Sequence, residues 1–514
     1  MPCTTLLVGR LASNDGSTMI ARNDDSPSGQ FHVKKLVKIK ADNHKEVYKS
    51  VGSHVEVKLP KHSFAFTFMP NVDPKEGLWG AAGINEKNVA MTATETITTN
   101  ERVLGADPYV ELVPRKGNTP EVKGGIGEED LVYLVLPYIS SAREGVLRLG
   151  SLLEEYGTYE PNGIAFSDEK EIWWLETIGG HHYIAARVQD NEVVLMPNQF
   201  GLDRFDFEDA LGEGKNYLCS KDLKEFVENN SLALDQDGKF NPRLAFGSHS
   251  DSDHVYNTPR AWYMLRCLTP VAMRENVKGY TPESDDLPWS VVPEHKLTVE
   301  DVKYILSAHF QGTVYDPYSK YGPKEYKGAY RPIGVNRTSF LALLQIRPVK
   351  NDYTKAIEWF TFGSNVFNEF VPFFTQGDKV PSYYGGTTLS VDSNNFYWEN
   401  RLIGALADSH FQTSAIEIER YQNALAAKAM EFVHKADKVA SKDELEKLNQ
   451  DIAKEAKTLT DKCLAKVLYA ASMGMKNAYS RSDNLSHKSK KRRMERNLFF
   501  RFFSLLFPLG NSIF

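Results

Sequence analysis

The stretch Cys3-Thr4-Thr5-Leu6-Leu7-Val8-Gly9, followed after five residues by Asp15-Gly16-Ser17-Thr18-Met19-Ile20-Ala21-Arg22-Asn23-Asp24-Asp25, decides how this chain folds. Residues 4–8 and 18–21 are two short, mostly apolar runs. Between them lies Ser13-Asn14-Asp15-Gly16, a strong hairpin signal. The runs do not alternate strictly between apolar and polar residues, so they read as strands buried on both faces, in a sheet held between other layers. A turn at these four residues, or at Asp15-Gly16 alone, opposes Cys3 to a residue among Ser26, Pro27 and Ser28. Asp25 is then close by and Arg22 lies diagonally near. A thiolate is a nucleophile, and an adjacent cation lowers the pKa of its thiol. A residue at the very N-terminus of a chain also carries a free α-amine, so it supplies nucleophile and base together. In that reading Asp25 holds or orients the ammonium. The same residues also suit a plain ion pair between Arg22 and Asp25 at a strand end, with Cys3 incidental.

Further segments follow in order: Trp79-Gly80-Ala81-Ala82-Gly83-Ile84-Asn85-Glu86-Lys87, Met91-Thr92-Ala93-Thr94-Glu95-Thr96, Trp173-Trp174-Leu175-Glu176-Thr177-Ile178-Gly179-Gly180-His181-His182, Pro197-Asn198-Gln199-Phe200, Tyr256-Asn257-Thr258-Pro259-Arg260 and Tyr397-Trp398-Glu399-Asn400-Arg401. With the opening stretch, this ordered set resembles the cysteine dipeptidases of the dipeptidase A type, in the N-terminal nucleophile (Ntn) hydrolase superfamily. The resemblance covers roughly residues 3–480. It implies an α+β fold, a four-layer αββα sandwich of two stacked antiparallel sheets. It implies a catalytic domain over residues 3–410, a helical segment of the same unit over 411–480, and removal of residues 1–2 as a propeptide so that Cys3 becomes the N-terminus. Release of Cys3 requires cleavage of the Pro2–Cys3 bond, by attack of the thiol on the Pro2 carbonyl or by another peptidase.

The resemblance also implies roles for individual residues. Arg22 and Asp25 match the Arg and Asp beside the nucleophile in the related choloylglycine hydrolases and penicillin V acylases. Asn198 matches an Asn that helps bind the oxyanion, and Arg260 falls where those acylases carry a further Arg. Glu95 stands near the position of their second oxyanion Asn. An ionised glutamate cannot donate a hydrogen bond, so a backbone N–H around Thr94 and Glu95 is the substitute donor. The implied reaction is hydrolysis of dipeptides or short peptides through a thioester acyl-enzyme, with no cofactor and no metal. For a dipeptide, Arg260 is a candidate for the carboxylate, or for a structural ion pair, and Glu95 or Glu176 for the ammonium. Two other readings use the same scaffold: an N-acyl amidase like the penicillin V acylases, and a non-enzymatic regulatory protein like the secernins.

The rest of the chain sets bounds on these readings. Its 514 residues carry 61 Lys+Arg against 67 Asp+Glu, with 41% hydrophobic and 25% charged residues, ordinary globular usage that excludes global disorder and a disulfide scaffold. The net charge of −6 argues against a nucleic-acid partner. No apolar run approaches the ~18–20 residues of an integral membrane segment. Residues 488–501 hold a local charge of +6, which leaves −12 for the preceding residues, and the apolar run at 498–509 that closes the tail is interrupted by Arg501. The tail from residue 481 reads as an extension without a part in catalysis. Cys219, Cys267 and Cys463 read as core residues. With no CxxC pair and no secretory signal, the four cysteines fit reduced thiols in the cytoplasm. His181 and His182 are expected on opposite faces of a strand, which disfavours a shared metal. Asp251, Asp253 and His254 read as a solvated loop, and so do residues 116–129 and 280–294. Residues 412–478 read as helical. A capping box at Ser441-Lys442-Asp443-Glu444 precedes apolar residues spaced by three and four, from Leu445 to Val467. That helix is scaffold, packed on the body or on another subunit, so a homo-oligomer is compatible.

Overall fold

The computed structural model describes residues 3–234, 239–248, 250–276 and 278–475, without the side chain of Thr94. Met1, Pro2 and the basic, apolar tail lie outside the described residues. The opening runs form β1 (Thr4–Val8) and β2 (Thr18–Asp25), buried at every position. Then follow β3 (Ala82–Ile84), β4 (Ala90–Thr96), β5 (Asn162–Ser167), β6 (Ile172–Ile178), β7 (His182–Arg187), β8 (Val193–Met196), β9 (Tyr217–Cys219), β10 (Ser290–Val291), β11 (Thr338–Ile346), β12 (Ala356–Phe362) and β13 (Val371–Phe374). They make two antiparallel sheets. One has seven strands in the order β10-β8-β1-β2-β11-β12-β13, and the other has six in the order β9-β7-β6-β5-β4-β3.

Alternation across each strand sorts its residues into different cores. Leu7 and Ile20 join Trp174, Ile184 and Phe360 in the core between the sheets. Leu6, Val8, Met19 and Ala21 point the other way. The outer layers are helical: α1 (Leu131–Val135), α2 (Ala142–Tyr156), α3 (Thr258–Leu268), α4 (Val299–Leu306), α5 (Phe411–Ala436) and α6 (Lys442–Gly474). Helices α3 and α4 bury Met264, Leu265, Val302 and Ile305 against the outer face of the seven-stranded sheet. Helices α1 and α2 bury Leu134, Val146 and Leu149 against Phe166, Trp173 and Leu175 on the outer face of the six-stranded sheet. The result is the expected four-layer αββα sandwich. Each large apolar side chain fully buried this way contributes about 1.5–3 kcal/mol.

Helices α5 and α6 supply side chains to two of these cores. Leu445, Leu448 and Ile452 enter the outer one, while Ala456, Cys463 and Val467 join the inter-sheet one. The apolar spacing is as read from sequence. The capping box is half made: the Ser441 hydroxyl caps Glu444 N–H, but the Glu444 carboxylate takes Ala440 N–H at 2.8 Å. No helix among the described residues is long and apolar enough to cross a membrane.

Five local expectations change. The hairpin pairs Thr4 with Asn23 and Thr5 with Arg22, so the next step of the ladder sets Cys3 opposite Asp24 rather than Ser26, Pro27 or Ser28. The chain does not turn directly at residues 13–16. Leu11 and Ala12 N–H are drawn to Asp190 O, and Asn14 N–H to Leu297 O, which lengthens the connection. Residues 124–129 at the end of the first expected surface loop are buried, and residues 290–291 of the second form β10. His181 and His182 converge on one group, the Asp107 carboxylate, at 3.0 and 2.7 Å, because His181 sits in the turn before β7. Asp253 is buried and accepts from Ser248 Oγ at 2.9 Å, while His254 meets Asp285 at 2.9 Å.

Gly163 in β5 lies under the Trp174 ring, and a Cβ there would stand 2.3 Å from the ring edge. Gly163→Ala should therefore cost about 1–3 kcal/mol, read as a lowered urea midpoint with an unchanged m-value.

Candidate active site

The β1–β2 pairing brings Cys3 and Asp24 together, and alternation along β2 puts Arg22 on the same face as Asp24, toward the six-stranded sheet. Cys3, Arg22 and Asp24 are all fully buried. Arg22 Nη2 donates to Cys3 Sγ at 2.8 Å and to Glu128 Oε1 at 2.6 Å, and lies 3.4 Å from Asp24 Oδ1. Its Nη1 donates across the sandwich to the carbonyls of Ala81 and Ala93. Lys34 Nζ closes the cluster, 3.1 Å from Asp24 Oδ2 and donating to Trp79 O at 2.8 Å.

The backbone is bent to supply those acceptors. Trp79 and Ala81 have φ of 49° and 48°, a left-handed conformation that costs a non-glycine residue of order 1–3 kcal/mol. It aims two consecutive odd-numbered carbonyls at the two buried cations. Gly80 between them has no room for a side chain, since a Cβ would meet Phe68 at 2.7 Å.

Burial pushes the Cys3 thiol up to about 12, against the pull of Arg22. Burial also opposes the charge on Arg22, but Cys3, Glu128 and Asp24 outweigh it and hold the guanidinium charged. Asp24 is likewise kept below its ordinary range, Lys34 and Arg22 overcoming its burial. Cys3, Asp24 and Glu128 also form the one grouping of metal-type ligands among the described residues. Their common centre is taken by Arg22 Nη2, which contacts all three, so a guanidinium stands where a metal cation would.

A second arginine organises the other side. All five N–H groups of Arg260, near the start of α3, are engaged with protein oxygens. Nε meets Tyr256 O at 2.7 Å; Nη1 meets Cys3 O and, at 2.6 Å, Thr4 Oγ1; Nη2 meets Asn198 Oδ1 at 2.6 Å and Asn257 Oδ1 at 2.7 Å. Asn198 Nδ2 donates to Thr96 O at 2.9 Å, and Asn257 Nδ2 holds Asn198 O at 3.1 Å. The Asn198 carboxamide is thus oriented from both ends. The β4–β5 register slips by one residue at Thr94, next to Ala93, whose carbonyl meets Arg22, and bulges of this kind re-aim a strand beside a functional site. The next residue, Glu95, accepts from Thr5 Oγ1 at 3.0 Å through Oε2, while its buried Oε1 has no hydrogen-bond partner among the described residues. Burial pushes its carboxyl up to about 8, despite Arg260 and Arg22. Asp25 takes hydrogen bonds from Arg331 Nη2 and, at 2.6 Å, from Thr338 Oγ1.

Cys3, Arg22, Asn198, Arg260 and Glu95 therefore share one connected cluster, with Asp25 at its edge through Arg331. Glu176 is placed differently. Its Oε1 accepts from Trp174 Nε1 at 3.0 Å and from Gly201 N–H at 2.7 Å, supporting the turn after Asn198. Asp24, Lys34, Glu128, Asn257 and Arg331 were not anticipated. Asp24 was legible, two residues from Arg22 on a strand. Glu128 sat behind Gly124-Gly125-Ile126-Gly127, whose lack of polar side chains is a signal for a buried loop.

An αββα sandwich with a buried thiol against a guanidinium, linked through Arg260 to a clamped carboxamide, has the parts of a nucleophilic hydrolase site. The particular lineage is given by comparison: this chain belongs to peptidase family C69, whose family model it matches over residues 2–424, and it is a peptidase. Similar proteins include one named dipeptidase from Bifidobacterium longum, 50% identical over 94% of this chain and 100% of that protein. A probable dipeptidase A from Streptococcus pyogenes is 49% identical over the same shares. Dipeptidase A of Lactobacillus helveticus is 40% identical over 85% of this chain and 88% of its own.

Glu128→Gln removes a charge 2.6 Å from a guanidinium without access to water. Breaking such a buried pair costs about 3–5 kcal/mol. The substitution should lower stability by that order in equilibrium unfolding, whereas neutralising the exposed Lys428–Glu431 pair should be barely measurable.

Proposed function

We propose that this peptidase is a cysteine-type dipeptidase, with Cys3 as the nucleophile once residues ahead of it are removed. The observation that carries the reading is the 2.8 Å contact between Arg22 Nη2 and Cys3 Sγ on the strand that opens the sandwich. The names of the relatives support dipeptides as the substrate class. A thiol held near 12 is neutral at pH 7, so attack needs a base within reach. The α-amine released on Cys3, with a reference pKa of about 7.7–8.0, is that base. Arg22 stabilises the thiolate as the proton leaves, and Asp25 is the anion assigned to the resulting ammonium.

The thiolate attacks the scissile carbonyl, and the negative charge moves onto the carbonyl oxygen. Asn198 donates to that oxygen, and so does the bulged backbone at Thr94 and Glu95. One such donor is typically worth about 2.7–4 kcal/mol. Burial raises the Glu95 carboxyl and favours its protonated form, which can donate rather than repel. The C–N bond then breaks as the leaving amine takes the proton from the Cys3 ammonium, leaving a thioester. Water adds to the thioester with the same amine as base and frees the thiol. Arg260 positions both partners through Cys3 O and Asn198 Oδ1. All four cysteines are free, which fits a reducing compartment.

Cys3→Ala should abolish dipeptide cleavage by at least about a thousandfold without altering the fold by circular dichroism. Intact mass of the active enzyme should show a chain that begins at Cys3. Undiminished cleavage by Cys3→Ala would sink the mechanism, and preferential cleavage of N-acyl amides over dipeptides would move the protein to the acylase reading. The pH profile is a second check. The proton on Glu95 is present below about pH 8 and lost above it. Activity should therefore fall on the alkaline side, and Glu95→Gln, which always donates, should remove that fall.

A further inference from the structure

The clamp on Arg260 leaves one group of a dipeptide without a partner, and its placement rests on the dipeptidase reading. All the Arg260 donors are already engaged, so it has no N–H left for the carboxylate of a dipeptide. Another cation must take that group. Tyr256 supplies the direction. Its ring lies 5.4 Å from the Arg260 guanidinium carbon, 5.1 Å from that of Arg331 and 6.0 Å from that of Arg337. Three guanidiniums thus gather around one ring. Arg331 is buried and committed to Asp25. Arg337 differs: it is partly exposed, as is Tyr256. Its Nη2 donates to the Tyr256 hydroxyl and its Nη1 to Ser28 Oγ at 3.1 Å, both neutral oxygens, and its Nε has no hydrogen-bond partner among the described residues. No carboxylate among the described residues forms a salt bridge with it.

Arg337 precedes Thr338, which pairs with Asp25 in the ladder, and Ser26 N–H bonds Arg337 O at 3.0 Å. The residue therefore stands at the same end of the seven-stranded sheet as Cys3, two strands away, or about 10 Å at the usual spacing. The carboxylate of a dipeptide lies one residue beyond the scissile carbonyl, about 3.5 Å along an extended chain. An arginine side chain reaching over Tyr256 can cover the remainder. We propose that Arg337, with the Tyr256 hydroxyl, is the anchor for the C-terminal carboxylate of the substrate. An anchor at that distance explains selectivity for length: in a longer peptide a neutral amide would fall against the guanidinium, and the chain would run into Tyr256.

The test compares kcat/KM for a dipeptide with that for its C-terminal amide, which has the same side chains but no carboxylate. Charge-assisted hydrogen bonds of this type are worth a tenfold preference or more. The wild-type enzyme should favour the free acid by roughly that factor. Arg337→Gln should bring the ratio close to one, mainly through KM for the free acid, and Arg337→Lys should keep part of the preference. A dipeptide-active enzyme whose Arg337→Gln variant keeps the wild-type ratio overturns the assignment alone. Wild-type enzyme that cleaves no dipeptide overturns the dipeptidase reading and this assignment with it.

Discussion

A guanidinium without access to water must be surrounded by acceptors, and much of this molecule is arranged to satisfy Arg22. Removing such a charge from water costs several kcal/mol unless its hydrogens are met. Here the acceptors for its two terminal nitrogens come from both sheets and the loops between them: two carbonyls of the facing sheet region, Glu128, Asp24 and the thiol itself, while Nε has no hydrogen-bond partner among the described residues. The left-handed backbone at Trp79 and Ala81 belongs to the same constraint, because it turns carbonyls inward to meet Arg22 and Lys34. The thiol is then one ligand of a cation, in surroundings that would otherwise keep it inert. Burial and charge oppose one another at Cys3, burial favouring the neutral thiol and Arg22 the thiolate.

Much of the fold was legible because it follows from local patterning. The unbroken apolar runs of β1 and β2 meant layers on both sides, and the three- and four-residue spacing from Leu445 to Val467 meant a long packed helix. The pairing register was not legible. It depended on backbone hydrogen bonds from residues 11–14 to Asp190 and Leu297, far away in the chain. The same limit applies at the site. Cys3 and Arg22 are close in sequence, and a hairpin suffices to gather them, whereas Asp25 bonds Arg331 and Thr338 at the edge. Asn198, Arg260 and Glu95 came from resemblance to a family, since nothing in a lone Asn after a strand distinguishes it from a turn former. Arg331 and Lys34 had no such guide. Glu128 was hidden in a glycine-rich loop that looked solvated, although its last six residues are buried. His181 and His182 were placed by strand alternation, which fails when one of the pair is still in the turn.

The two arginines divide the work by geometry. Arg22 touches the thiol and bears on its charge. Arg260 touches only oxygens, and two of them belong to groups on which the proposed chemistry depends, Cys3 O and Asn198 Oδ1. It acts as a strut between Cys3 O and the Asn198 carboxamide. The residues of this site come from both sheets and α3, so its geometry depends on the packing of the whole sandwich.

Arg260 grips Cys3 from its carbonyl side. A residue held from behind keeps its position when the peptide ahead of it is cut. In the proposed reading, trimming is a change of one bond within a finished, buried site rather than a rearrangement; a single hydrolysis ahead of Cys3 then sets the moment at which that residue acquires its base.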